Sequence, residues 1–240
     1  MTNTFKKTAI TAAKSAGAIL KKNIGNAHRI EFKGAIDIVT EMDRKAEDLI
    51  IKIIKDNFPK HGILTEESLE QKSDSEYRWI IDPLDGTTNY SHGFPVFCVS
   101  IALEKSGEGI ILGAVYNPML NELFTAEKNK GAYLNNKKIK VSDIKELTKS
   151  LLATGFPYDI RTSPDNNIAH FANFAVRAQA IRRAGSAALD MCYVACGRID
   201  GFWEMKLKPW DTAAAWLIIK EAGGMVTGFN GKEFSFYSSE

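Results

Sequence analysis

Trp79-Ile80-Ile81-Asp82-Pro83-Leu84-Asp85-Gly86-Thr87-Thr88-Asn89 is a short apolar run that stops at an acid, a proline, a second acid and a glycine. The apolar triplet reads as a short buried strand ending in Asp82. Two carboxylates three residues apart, with a rigid proline between them, can face one small volume. Pro83 fixes its own φ near about −65°, so the Leu84 carbonyl can be held towards the same place. Hard cations such as Mg²⁺ take oxygen ligands of this kind. Gly86 lets backbone approach an anion closely, and the amides of Gly86 and Thr87 can cradle a phosphate. Alone, the stretch competes with a plainer reading: a polar turn with one or two capping acids.

Upstream, Ile10, Ala13, Gly17, Leu20 and Ile24 form a helical stripe over residues 4–24. A polar turn leads to Asp37-Ile38-Val39-Thr40, and Thr40 through Asp43 forms a capping pattern. The helix it starts carries Ala46, Leu49, Ile50, Ile53 and Ile54 on one face and stops at Phe58-Pro59. Downstream, Val96 to Leu103, Ile110 to Tyr116, Glu122 to Ala126 and Ala132 to Ile139 read as strands of an antiparallel meander. Gly107-Glu108-Gly109, Asn117-Pro118 and Asn135-Asn136 punctuate it as turns. After about residue 150 strands alternate with helices: Leu151 to Thr154, residues 166–178, Ala180 to Arg183, Ala187 to Cys196, Ile199 to Glu204, Asp211 to Ala222, then Met225 to Thr227. This gives a mixed α+β and α/β chain. One compact unit is expected, with an α+β subdomain over 1–150 and an α/β subdomain over 151–240.

Further acids fall at the ends of elements. Glu66 and Glu67 follow the apolar pair Ile63-Leu64, Asp211 opens a helix after Trp210, and Asp43 sits in the first turn of its helix. Each has an ordinary explanation as a solvated acid, an N-cap or a charge favoured by the helix dipole. Together they place several acids where α/β proteins keep their sites. The composition excludes other classes. A net charge of +2 gives no basic stripe for nucleic acid. Lys6, Lys7 and Lys14 break any leader-like run, and no apolar stretch approaches about 20 residues, so neither a signal peptide nor a membrane span is indicated. Cys98, Cys192 and Cys196 show no metal spacing and read as free thiols. A cytoplasmic globular protein is expected.

The residues around both acidic motifs resemble the inositol monophosphatases. Trp79 through Tyr90 looks like that family's first signature. Lys208-Pro209-Trp210-Asp211-Thr212-Ala213-Ala214-Ala215, with Glu221-Ala222-Gly223-Gly224, looks like the second. Thr65-Glu66-Glu67-Ser68 is similar to the family's G-E-E-S stretch, with Thr65 in place of glycine. Asp37 through Asp43, Arg183 through Ala188 and Gly201 through Glu204 also match in order and spacing. The resemblance implies a layered α-β-α-β-α sandwich, a homodimer, and a phosphomonoesterase using two or three Mg²⁺ ions on inositol monophosphate or a similar polyol or sugar phosphate. Glu66, Asp82 and the Leu84 carbonyl would hold one ion and Asp82, Asp85 and Asp211 a second, with a weaker third near Glu66. A metal-activated water would attack directly, oriented by Asp43 and Thr87, with Glu66 part of the catalytic group. Asp85, Gly86, Thr87, Ser186, Ala187, Glu204 and Asp211 would contact the substrate.

Two departures accompany the match. Ala215 stands where the second signature often has glycine, and the chain stops at Glu240, where family members add a strand and helix; an exposed sheet edge is expected. A haloacid-dehalogenase-type motif needs an acid two positions before Asp85, where Pro83 stands. Two rivals keep the fold. One acts on fructose-1,6-bisphosphate, histidinol phosphate or adenosine 3′,5′-bisphosphate. The other is a regulatory interaction protein.

Overall fold

A computed structural model of the chain describes residues 2–26, 30–32 and 38–237. Asp37, which the sequence reading used, lies outside the described residues. α1 (Thr2–Asn23) buries Ala9, Ala12, Ala13, Ala16 and Leu20 completely and packs on α2 (Glu41–Asn57). The expected cap of α2 is in place. Thr40 Oγ1 accepts from Met42 N at 3.1 Å, and Thr40 N donates to Asp43 Oδ2 at 2.8 Å. Ahead of it, β1 (Ile30–Phe32) and β2 (Ile38–Thr40) pair as an antiparallel ribbon that the sequence reading did not anticipate. Three-residue strands are too short to show an alternation.

The main sheet runs β3 (Gly62–Thr65), β4 (Tyr77–Asp85), β5 (Cys98–Lys105), β6 (Gly109–Asn117), β7 (Glu122–Glu127), β8 (Ala132–Leu134) and β9 (Lys137–Lys138) in spatial order. Only the β3–β4 pairing is parallel; the rest is the expected meander. Asn135 and Asn136, with φ of 46° and 65°, make the turn that divides the run expected from Ala132 to Ile139. Trp79, Ile81, Val99, Ile101 and Leu103 face α1 and α2, while Ile80, Cys98, Ala102, Val115 and Phe124 pack into a second core. Burial on both faces explains why these strands read as continuous apolar runs.

That second core is closed by α5 (Ala187–Ala195) and α6 (Pro209–Glu221). Beyond them lies a parallel sheet ordered β11 (Ala180–Arg182), β10 (Leu151–Thr154), β12 (Gly201–Trp203). α4 (Ile168–Ala175) packs at β11, with Phe174 4.6 Å from the Trp203 ring. The chain is thus a layered α+β fold of two helices, a mixed sheet, two helices, a second sheet and a final helix. The short α3 (Thr87–Ser91) follows β4 directly. The strand expected at Met225 to Thr227 does not form. Met225 is exposed, so the stretch has no face to bury, and Thr227 makes only an isolated bridge to Glu233. The cysteines are free, and no helix among the described residues is long and apolar enough to cross a membrane.

Candidate active site

β4 builds the floor of a cavity of about 470 Å³. Strict alternation sends residues an odd number apart to opposite faces. Yet Asp82, Leu84 and Asp85 all line this one cavity. The β4–β5 register holds from Tyr77 to Asp82 and shifts before Asp85 meets Cys98. Pro83 lies in that shift and has no N–H to give the ladder, so the bulge re-aims the second acid. Leu84 N donates to Asp82 Oδ1 at 2.9 Å, fixing the first acid in the same turn. Gly86 then takes φ +101°, and a Cβ there would lie 2.9 Å from the Val96 carbonyl oxygen.

Each remaining acid is fixed by its own element. Asp85 Oδ2 accepts from Ser186 Oγ at 2.6 Å and from Ala188 N at 2.8 Å, so it caps the N-terminus of α5. Asp211, in the first turn of α6, accepts from Lys208 N at 2.7 Å. Glu66 follows β3, and the segment around it is tied to α2. Thr65 Oγ1 and Glu67 N both donate to Glu47 Oε2, the latter at 3.1 Å. The threonine that departs from the family glycine is therefore buried and bonded. Glu204 follows β12, with its carboxylate against Gly155, where an added Cβ would fall 1.9 Å from Oε1.

The charges crowd one another. Burial raises Asp82 well above the usual carboxylate range, and Glu66, Asp85 and Asp211 add to it. Asp211 is raised likewise, by burial and then by Glu66. Asp85 is raised by burial against the pull of its Ser186 and backbone donors. Glu204 rises to about 8, through burial and then Asp85.

Glu66, Asp82, Leu84, Asp85, Gly86, Thr87, Ser186, Ala187, Glu204 and Asp211 therefore share one wall of residues. Asp43 does not reach the cavity; it is fully buried behind Thr87. Thr87 Oγ1 donates to Asp43 Oδ1 at 2.8 Å or to the Leu84 carbonyl at 3.0 Å. Burial raises the Asp43 pKa, and bonds from Thr40 and Thr87 oppose it. Ser186 is turned to Asp85. Three residues escaped the sequence reading. Asn89 Nδ2 donates to the Val96 and Ala184 carbonyls at 2.7 and 2.8 Å, tying the first motif to the approach of α5. Arg183 and the buried Asp190 also line the cavity. An acid in the apolar run Ala187 to Ala195 was the available signal for Asp190.

Among the described residues no three acids, histidines or cysteines already stand as a closed metal-holding group. The donor chemistry nonetheless suits a hard divalent cation. Carboxylates and a main-chain carbonyl line the cavity, and their mutual repulsion is what a cation relieves.

The sequence model of the inositol monophosphatase family matches residues 1–240. A protein named Nus factor SuhB from Vibrio cholerae is 47% identical over 226 residues, 93% of this chain and 84% of its own. An inositol-1-monophosphatase from Synechocystis is 47% identical over 229 residues, 95% of this chain and 79% of its own. The solved inositol monophosphatase from Anabaena superposes with a TM-score of 0.87 at 46% identity, covering 97% of this chain and 87% of that one.

Proposed function

The chain belongs to the inositol monophosphatase family, and from that membership we propose that it hydrolyses the phosphomonoester of a small polyol or sugar, with magnesium as cofactor. The supporting observation is the convergence of Glu66, Asp82, Asp85 and Asp211 on one cavity, with the Thr87–Asp43 pair beside them. Glu66, Asp82, the Leu84 carbonyl, Asp85 and Asp211 would hold two or three Mg²⁺ ions. Bound there, magnesium would supply positive charge to the transferring phosphoryl group and acidify water.

The chain's own residues do the rest. Ser186 and the Ala188 amide keep Asp85 in place. The Thr87 hydroxyl, donating to Asp43, presents its lone pairs to a water, and Asp43 is the proton's destination. Gly86 and Thr87 lie against the phosphate. Glu204 accepts hydrogen bonds from hydroxyls on the leaving group. Homodimerisation and a cytoplasmic location belong to the same proposal as family properties.

The test is phosphate release by the purified protein from inositol 1-phosphate, with fructose-1,6-bisphosphate, histidinol phosphate and adenosine 3′,5′-bisphosphate alongside. Activity with Mg²⁺ that vanishes on chelation is expected. The relative named Nus factor SuhB favours a second reading, an interaction protein of the same fold. No turnover of any phosphate at saturating Mg²⁺ would decide for it.

A further inference from the structure

Asp190 lies on α5 four residues after Ser186, is 3% exposed, and lines the cavity beside Glu204 and Arg183. Among the described residues its carboxylate has neither a hydrogen-bond donor nor an ion pair, and the same holds for Glu204. Buried polar groups are rarely left so, and each exception calls for a reason. Helix capping does not supply one. At the start of α5 the Ala188 amide is engaged by Asp85 and the Leu189 amide by Ser186 Oγ, and Asp190 lies one position beyond them. Arg183 does not supply one either. Its charge lowers both acids, yet it is exposed and pairs with neither.

Both acids are delivered by design of the fold. β10 and β12 are parallel neighbours, so Gly155 and Glu204, just past their ends, meet at the same edge. The absent side chain at Gly155 is what leaves room for the Glu204 carboxylate. Asp190 lines the same cavity as Asp85 and Glu204 and feels the charge of both. Burial and those charges push Asp190 to about 8. Incoming donors would stabilise its ionised form.

We propose that Asp190 and Glu204 act together as the acceptor for two hydroxyl groups on the part of the substrate away from the phosphate, and that Asp190 thereby selects an uncharged polyol end over one carrying a second phosphate. The proposal rests on the phosphomonoesterase reading above. An ionised carboxylate only accepts, which matches hydroxyls. Hydroxyl donors bring both acids to their ionised form, whereas a second phosphate, itself an acceptor, offers them no protons and repels that form. A site built to bond hydroxyls discriminates against partners that lack them, because its own buried groups are then left unpaired.

The experiment compares wild-type protein with Asp190→Asn on inositol 1-phosphate, p-nitrophenyl phosphate and fructose-1,6-bisphosphate. Asn keeps the volume and removes the charge. The loss in kcat/KM on inositol 1-phosphate is expected to exceed that on the aryl phosphate by about tenfold, carried mainly by KM. The bisphosphate-to-monophosphate ratio is expected to rise by a similar factor. Equal losses on all three substrates would overturn the proposal while leaving the phosphatase reading standing. Wild-type protein inactive on all three would overturn that reading, and the proposal with it. Should Asp190→Asn not fold, wild-type kcat/KM on inositol phosphates lacking single hydroxyls decides. A marked loss for two particular positions supports the acceptor pair, and indifference to every position rejects it.

Discussion

At the scale of the residue, the Thr87 hydroxyl joins the fold to the proposed chemistry. Its single proton goes to Asp43 Oδ1 or to the Leu84 carbonyl, and both acceptors are buried. Valine at 87 keeps the shape and removes the donor. Asp43 Oδ1 then loses a bond in a buried place, at a cost of about 1–3 kcal/mol. Thr87→Val is expected to lower kcat by about 10²–10⁴-fold, the range for a lost proton relay. Thr87→Ser should restore most of it. Steady-state kinetics with a thermal melt on each variant checks this. Equal activity in Val and Ser variants would remove Thr87 from the chemistry.

At the scale of the element, α6 carries Asp211 to the site, and its seating depends on small residues. Ala213, Ala214 and Ala215 are fully buried, and a Cβ on Gly113 of β6 would lie 2.5 Å from the Ala214 carbonyl oxygen. The helix rests directly on the strand backbone there. Alanine where the family signature often has glycine fits because position 215 points into this close layer without needing a special backbone. Gly113→Ala must lift α6 or bend β6, an overpacking cost of about 1–3 kcal/mol. Urea unfolding should show a lower midpoint at unchanged slope. Turnover should fall with it, although Gly113 is absent from the cavity wall, because Asp211 rides on the displaced helix.

At the scale of the whole molecule, the crowded acids come from separate layers. Glu66 follows β3, Asp82 and Asp85 lie at the end of β4, and Asp211 belongs to the helix layer beneath that sheet. Their repulsion opposes the closing of the fold around the cavity. A divalent cation shared among them would convert that repulsion into a cross-link between layers. Magnesium is therefore expected to stabilise the fold by about 2.7 kcal/mol at a hundred times its Kd, and so to raise the melting temperature in a concentration-dependent way. Chelation should reverse it, and Asp82→Asn should blunt it. Scanning fluorimetry across a magnesium titration reads this without any turnover. A melting temperature indifferent to magnesium and chelator would reject the proposed metal site.

The sequence by itself determined what depends on neighbours along the chain. The Thr40 cap, the apolar runs of β4 to β7 and the Asn135-Asn136 turn were legible because local geometry or burial on both faces writes them into a few consecutive residues. The acidic motifs were legible too, since Asp82, Pro83 and Asp85 carry their bulge with them, and their resemblance to a family supplied Ser186, Ala187 and Glu204. Tertiary structure alone decided the rest. Nothing near Glu47 announces that it will fasten Thr65 and Glu67, since the partners lie 18 and 20 residues on. Ser186 turned out to hold Asp85 from 101 residues away. Asp190 stood out in the sequence as an acid in an apolar run, but its place in the cavity wall without a donor was decided by packing. A side chain's partners across layers, and the lack of them, are set by packing, and packing leaves no period in a single chain.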